Sequence, residues 1–418
     1  DHAAPDLPGP DAGVAPHDTP CQESWSATSK TDPVCAQRRV LLIDEGKPNG
    51  AYDEQLWTCF GLDIALQGST LRVAFDNRYG PEEGQLRLLS FPAGTSTKPQ
   101  APQLIQGTQY ERFGYAVALE PAASGGTHLA YVEVSSIGSQ LGVRHWPPNG
   151  SLGPVESLSA DVFTKGAVNL VETSDGKLHA VFYEDKTGRV VWRTRPAAGG
   201  SWGAPTQLGD TINSQVRGAG QVATRRHSGG NGLAHVVHYG LGLGSQPRYR
   251  RWSLSGGWTS KRSLDNNTLS GMAGYGIDLA VGLTENHAAY FRAPAGGTEA
   301  ELWVASWAGL GTIDLHRVDY QIPHDDGGSE YGLALDVDPW GLLHMVVVRP
   351  SKTTGSQTPS GTIEYWRQRD VAGKREWISD VVDQDVVGNL SLTRVAIVVG
   401  PGGKPHIVHK WVPDPELW

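Results

Sequence analysis

One recurring pair of anchors limits what this chain can fold into. A glycine opens an apolar, strand-like run six times: CFGLDIAL, RFGYAVAL, KGAVNLV, RGAGQVA, YGIDLAV and YGLALDV. These runs place Gly61, Gly114, Gly166, Gly218, Gly276 and Gly332 at intervals of 52 to 58 residues, and TRVAIVV adds a seventh run with Arg394 at the glycine position. A second run begins 11 to 17 residues after each first anchor. It opens on a histidine in THLAYVE, LHAVFYE, AHVVHYG, NHAAYFR, LHMVVVR and PHIVHKW, giving His128, His179, His235, His287, His344 and His406; LRVAFDN carries Arg72 instead.

Turn-forming clusters such as SDGK, DPWG and GPGGK separate the two anchors. A third strand follows in VVWRTRP, RYRRWSL, ELWVASW and IEYWRQR, and a fourth in GGSWGAPTQLG and GGWTSKRSL. Apolar and polar residues alternate with period two, with no helical stripe of useful length. Four strands repeating at this interval describe a propeller blade. The expected fold is all-β: a seven-bladed β-propeller with four-stranded antiparallel blades over residues 38–418. The last unit runs out near Trp418 after two or three strands, while RRVLLIDEG at 38–46 reads as a strand without its own blade. The N-terminal strand is therefore expected to complete the last blade, which hides sheet edges and closes the ring.

The repeats resemble bacterial extracellular propellers of the sialidase-like and BNR-like group, over about residues 38–418. In that group an Asp-box, S-x-D-x-G-x-x-W, occupies the turn between third and fourth strands. Here those turns read GGSW, SGGW and GKREW, which keep the tryptophan and lack the aspartate. No arginine triad with its acid and tyrosine can be matched, so the resemblance implies fold rather than sialidase chemistry.

Composition narrows the partners. Of 418 residues 19% are charged, the formal net charge is −9, and no basic stripe is present, which argues against nucleic acid. No apolar run is long enough to span a membrane. Residues 1–20, DHAAPDLPGPDAGVAPHDTP, cannot bury a core and read as a flexible tether like that of a bacterial lipoprotein, so a lipid anchor upstream of Asp1 is a possible attachment. Residues 21–37 form a loop bracketed by Cys21 and Cys35, read as a disulfide in a secreted, periplasmic or outer-surface protein. Cys59 reads as a small buried hydrophobe.

Candidate functional residues follow from the repeat register. The segment leading into each first strand and the loop joining second to third strand open on one face, the channel mouth. Just before the anchor glycines stand Lys165, Arg217, Tyr275 and Tyr331, with Arg394 at the seventh position. The second strands end on Arg78, Arg292, Arg349, His409 and Lys410. Aromatic faces stack on sugars and cations bind carboxylates or sulfates, so these residues suit a carbohydrate ligand, including an acidic one. The anchor histidines repeat too regularly for an asymmetric ligand and are expected to make hydrogen bonds between blades. His238, Tyr239 and Arg217 are the residue types a polyuronate lyase needs as base, acid and carboxylate-neutralising cation. Adjacent strand residues point to opposite faces, so His238 and Tyr239 share a pocket only across a bulge. His324, Asp325 and Asp326 in IPHDDGGSEYG could hold a structural Ca2+, or simply form a solvated turn; no other cofactor is expected. Three readings remain: a carbohydrate-binding propeller, a polysaccharide lyase, and a propeller that docks an extracellular or envelope protein.

Overall fold

A computed structural model describes residues 61–77, 85–93, 103–105, 112–135, 138–159, 168–184, 189–208, 222–226, 234–240, 246–265, 271–294, 299–323, 332–351, 360–371, 374–387 and 393–410. Within them the chain forms seven antiparallel sheets, each built in sequence order. Blade 1 holds β1 (Leu62–Gln67), β2 (Thr70–Asn77), β3 (Gln85–Pro92) and β4 (Gln103–Ile105). Blade 2 holds β5 (Arg112–Pro121), β6 (Thr127–Ser135), β7 (Gly138–Trp146) and β8 (Glu156–Ser159). Blade 3 holds β9 (Val168–Thr173), β10 (Lys177–Glu184), β11 (Arg189–Pro196) and β12 (Thr206–Gln207). Blade 4 holds β13 (Val222–Arg226), β14 (Ala234–Gly240), β15 (Gln246–Ser253), and a broken outer strand, β16 (Gly257–Trp258) and β17 (Arg262–Ser263). Blade 5 holds β18 (Gly271–Val281), β19 (Asn286–Pro294), β20 (Glu299–Trp307) and β21 (Asp314–Pro323). Blade 6 holds β22 (Leu333–Val337), β23 (Leu343–Pro350), β24 (Ser360–Val371) and β25 (Lys374–Val387), and a seventh sheet holds β26 (Arg394–Val399) and β27 (Pro405–Lys410).

The first strands β1, β5, β9, β13, β18, β22 and β26 touch in that order, and β26 returns to β1. The sheets therefore stand in a closed ring, as the anchor spacing predicts. The expectation of seven complete blades needs correction: among the described residues six sheets have four or more strands, and the seventh has two. The segment 38–46, expected to complete it, lies outside the described residues, as do the proposed tether and Cys21, Cys35 and Cys59.

Each sheet buries both faces against its neighbours, so the core runs as a chain of inter-blade clusters. Leu141, Val143, Leu170, Leu178 and Phe182 join blades 2 and 3, and Leu302, Val304, Leu335, Met345 and Val347 join blades 5 and 6. Burying a Leu, Val or Phe side chain in such a layer stabilises by about 1.5–3 kcal/mol. The anchor glycine marks a close approach. A Cβ at Gly332 would stand 3.0 Å from the Thr393 carbonyl oxygen and 3.2 Å from Val395 of the seventh sheet.

Polar staples tie the first strands together. Asp63, Asp278 and Asp336 each use one carboxylate oxygen to accept the next residue's N–H, at 2.8 to 2.9 Å. The other oxygen accepts from the next sheet's first strand: Leu119 N at 2.7 Å, Leu335 N at 2.8 Å and Val399 N at 2.7 Å. Glu120 plays the same part toward Glu172 N at 3.1 Å. A carboxylate accepting two backbone donors satisfies groups that a first strand, flanked on one side only, leaves unpaired.

The anchor histidines are buried, and their partners vary. His128 meets Glu172 of blade 3 at 3.1 Å, the predicted inter-blade bond. Arg72 likewise crosses to blade 2, donating to the carbonyls of Trp146 at 2.5 Å and Pro147 at 2.7 Å. His235, His287 and His344 instead bond within their own blades, to Tyr249 at 2.8 Å, Ser306 at 2.8 Å and Tyr365 at 2.5 Å. His179 accepts from Trp192 Nε1 at 2.9 Å in its own blade, and its ring lies 4.7 Å from that of Trp252 in blade 4.

Candidate functional site

Two surfaces result. The mouth face carries the segments leading into first strands and the second-to-third strand loops. The hairpin face carries the tight first-to-second and third-to-fourth strand turns.

Second-strand residues alternate between the two neighbouring blades. His128 and His179 turn toward the following blade, whereas Arg292 and Arg349, an odd number of residues beyond their own anchors, turn toward the preceding one. This alternation builds a repeated arrangement at successive interfaces. Arg292 Nη1 lies 4.0 Å from Asp265 Oδ2 on the outer edge of blade 4. Arg349 pairs with Asp319 on the outer strand of blade 5, and its Nε lies 2.8 Å from Glu364 of its own blade. His409 Nε2 lies 3.7 Å from Asp383 on the outer strand of blade 6.

The third strand completes the first two clefts. Glu301 stands directly opposite Arg292, and Glu364 lies one pleat beyond the residue opposite Arg349. Each glutamate is followed two residues later by a half-buried tryptophan whose indole N–H donates back to it. Trp303 Nε1 reaches Glu301 at 2.8 Å and Trp366 Nε1 reaches Glu364 at 3.0 Å. The Arg292 guanidinium lies 5.3 Å from the Trp303 ring centroid. Arg317 adds a second cation at the first cleft, 3.0 Å from Glu301. Two cations thus face two carboxylates at the blade 4/5 cleft, whereas at the 5/6 cleft one cation faces two carboxylates.

Such a cleft presents carboxylate acceptors, guanidinium donors and an indole face within one small volume. Paired acceptors and donors match the vicinal hydroxyls of a sugar, and the indole matches its apolar C–H face.

The other sequence candidates fall in different places. Arg394 is buried at the start of β26 and donates to the Thr393 carbonyl at 3.1 Å. Lys410 reaches blade 1, donating to the Asp76 carbonyl at 2.6 Å and pairing with the Asp76 carboxylate. His238 lies in the middle strand β14, opposite Val222 and Arg248, and is fully buried. Tyr239 follows it opposite Pro247, and Tyr275 stands on β18 opposite Phe291. Arg78, Lys165, Arg217, Tyr331, His324, Asp325 and Asp326 lie outside the described residues. Among the described residues no three His, Cys, Asp or Glu side chains converge as a metal site, and no helix is long and apolar enough to cross a membrane.

The sequence reading selected Arg292 and Arg349 but missed Asp265, Asp319, Glu301, Glu364 and the two tryptophans. The signal was available: ELW in blade 5 and EYW in blade 6 repeat at the same strand.

No family model matches the chain, and no curated protein matches it by sequence. Solved structures do. BP39L lectin from Burkholderia pseudomallei superposes with a TM-score of 0.56 at 13% identity, covering 85% of this chain and 97% of that one. An ulvan lyase of polysaccharide lyase family PL25, bound to -[GlcA(1-4)Rha3S]-, gives 0.52 at 12% identity, covering 86% and 95%. Hydrazine synthase from Kuenenia stuttgartiensis gives 0.50 at 12% identity, covering 86% and 99%. At these identities the likeness is one of fold. With the closed ring of antiparallel sheets, it makes this chain a β-propeller.

Proposed function

We propose that this propeller binds carbohydrate, and that the Arg–Glu–Trp clefts at the blade 4/5 and 5/6 interfaces hold the sugar. The observation that carries this reading is the repetition. Two consecutive interfaces bring an arginine, a glutamate and its tethered tryptophan together with an aspartate from the preceding blade. Structural similarity to a lectin and to a lyase that holds a uronate-containing glycan supports the same class of ligand.

The charge balance favours a neutral sugar. At the 5/6 cleft Asp319 and Glu364 outnumber Arg349, so an added uronate or sulfate meets two carboxylates. Binding is favoured over elimination because His238, the candidate base, is enclosed on all sides, and a general base must reach its substrate. The seventh sheet is, on this reading, a blade completed by the strand at 38–46.

Arg292→Ala and Arg349→Ala, singly and together, test the assignment by calorimetric titration with a neutral glycan that the wild type binds. Loss of one charge-assisted hydrogen bond to the ligand weakens binding roughly tenfold to a hundredfold. Unchanged affinity in the double variant would remove these clefts from the account.

A further inference from the structure

The hairpin face carries one break in the repeat that coincides with an opening. In each blade the residue after the anchor's cross-strand partner faces the preceding blade. In blades 2, 4 and 5 it is a tryptophan that fills the interface. Trp146 packs under Arg72 of blade 1, whose guanidinium lies 4.4 Å from its ring centroid. Trp252 packs on His179 of blade 3 at 4.7 Å, and Trp307 on Tyr249 of blade 4 at 4.7 Å. In blade 3 the position is held by Arg195, paired with Glu156 of blade 2 at 2.8 Å.

Blade 6 has Gln368 at this position, directly after Arg367, the partner of His344. The side chain is too short to fill an indole's place, and a cleft of about 300 Å³ lies there between blades 5 and 6. Gln368 is buried, and its Oε1 accepts from Leu343 N at 3.4 Å. Around it stand Glu285, Ser306, Asp314, His316 and Arg375. Arg375 Nη1 and Glu285 Oε2 bridge the two blades at 3.1 Å, and both are about two-fifths exposed. Leu310, in the same turn as the lining residues Ala308 and Gly311, is 62% exposed.

We propose that this cleft is a second ligand site, on the opposite face from the first, and that it takes a single neutral sugar ring. The volume suits one ring. The Glu285–Arg375 pair offers an acceptor beside a donor, as a vicinal diol requires. Ser306, His316 and Gln368 supply further uncharged hydrogen-bonding groups around that pair. Glu285 and Asp314 outweigh Arg375, which selects against anions. An exposed leucine at the lip matches the C–H face of a pyranose.

The test uses the full chain and the methyl glycosides of glucose, galactose, mannose and N-acetylglucosamine at millimolar concentration, with binding read by saturation-transfer NMR and calorimetry. The Arg292→Ala, Arg349→Ala double variant is expected to retain binding of at least one glycoside. Adding Gln368→Trp, which restores the residue found in three other blades, should abolish it. Arg375→Ala, a milder change at a half-exposed residue, should weaken it roughly tenfold. A double variant that binds none of the four glycosides would overturn the proposal. So would residual binding that survives both Gln368→Trp and Arg375→Ala. If wild type and double variant bind alike while Gln368→Trp abolishes binding, the mouth-face assignment fails and this one stands.

Discussion

Asp336 is the most informative single residue for how the ring is held. Its carboxylate accepts Val337 N at 2.9 Å within β22 and Val399 N at 2.7 Å from the seventh sheet. Asp336→Ala removes both acceptors and leaves two backbone donors to find water or remain unpaired. A hydrogen bond to a charged group contributes about 1.5–3 kcal/mol. The carboxylate is half-buried, which places each bond at the lower end, and the alanine leaves a small space that water can reach. The expected loss is about 2–3 kcal/mol. For a domain of this size that is a fall in Tm of about 5–10 °C. The control is Glu376→Ala. That glutamate pairs with Arg369 at 3.2 Å on an exposed surface, where an ion pair contributes about 0–1 kcal/mol. Differential scanning calorimetry of both variants, with Asp63→Ala and Asp278→Ala as repeats of the same staple, decides the matter. If Asp336→Ala melts within about 0.5 kcal/mol of the control, the staples do not hold the ring and the reasoning fails.

Four further outcomes are expected. Burial pushes the pKa of His179 and of His287 down to about 4, with Asp175 opposing the shift at His179 and Arg375 reinforcing it at His287. The unfolded chain therefore binds more protons between pH 6.5 and about 4, so stability falls as pH drops through that window; melting curves flat from pH 7 to 4 would refute this. Gly126 has φ +87°, and a Cβ there would overlap the Trp146 carbonyl oxygen, so Gly126→Ala should cost at least about 1–3 kcal/mol in urea unfolding, and a neutral result would contradict the turn geometry. Deleting residues 36–46 should lower Tm sharply if that strand completes the seventh sheet, whereas an unchanged curve rules the closure out. A peptide map without reduction should show Cys21 joined to Cys35; free thiols at both positions would reject the disulfide.

Much of the architecture was legible because it is periodic. The Gly and His anchors recur at a fixed interval, and the first strands they mark stand in ring order. The second-strand register was legible too, since it fixes which residues reach the mouth face, and Arg292 and Arg349 were found that way. Their acidic partners were not. Asp265 and Asp319 sit on fourth strands, 27 and 30 residues before the arginines they face, in segments with no periodic marker. The staples escaped for a related reason. Asp63 and Asp278 follow their glycines by two residues but Asp336 follows Gly332 by four, so alignment on the anchor hides a shared role. The anchor histidines show the limit of reasoning from repetition alone. Their burial is common to the blades, but the bond each makes depends on whether the third strand offers Tyr249, Tyr365, Trp192 or Ser306. The open cleft at Gln368 could be read only once the register showed which tryptophans it replaces.

The most direct test of the central claim is a glycan-array screen of the full chain, run at low and at physiological salt. Binding confined to neutral glycans, little changed by salt and lost in the Arg292→Ala, Arg349→Ala variant, is the predicted result. Binding only to uronate-bearing or sulfated glycans, falling steeply as salt rises, would contradict the account, and so would an array with no bound glycan.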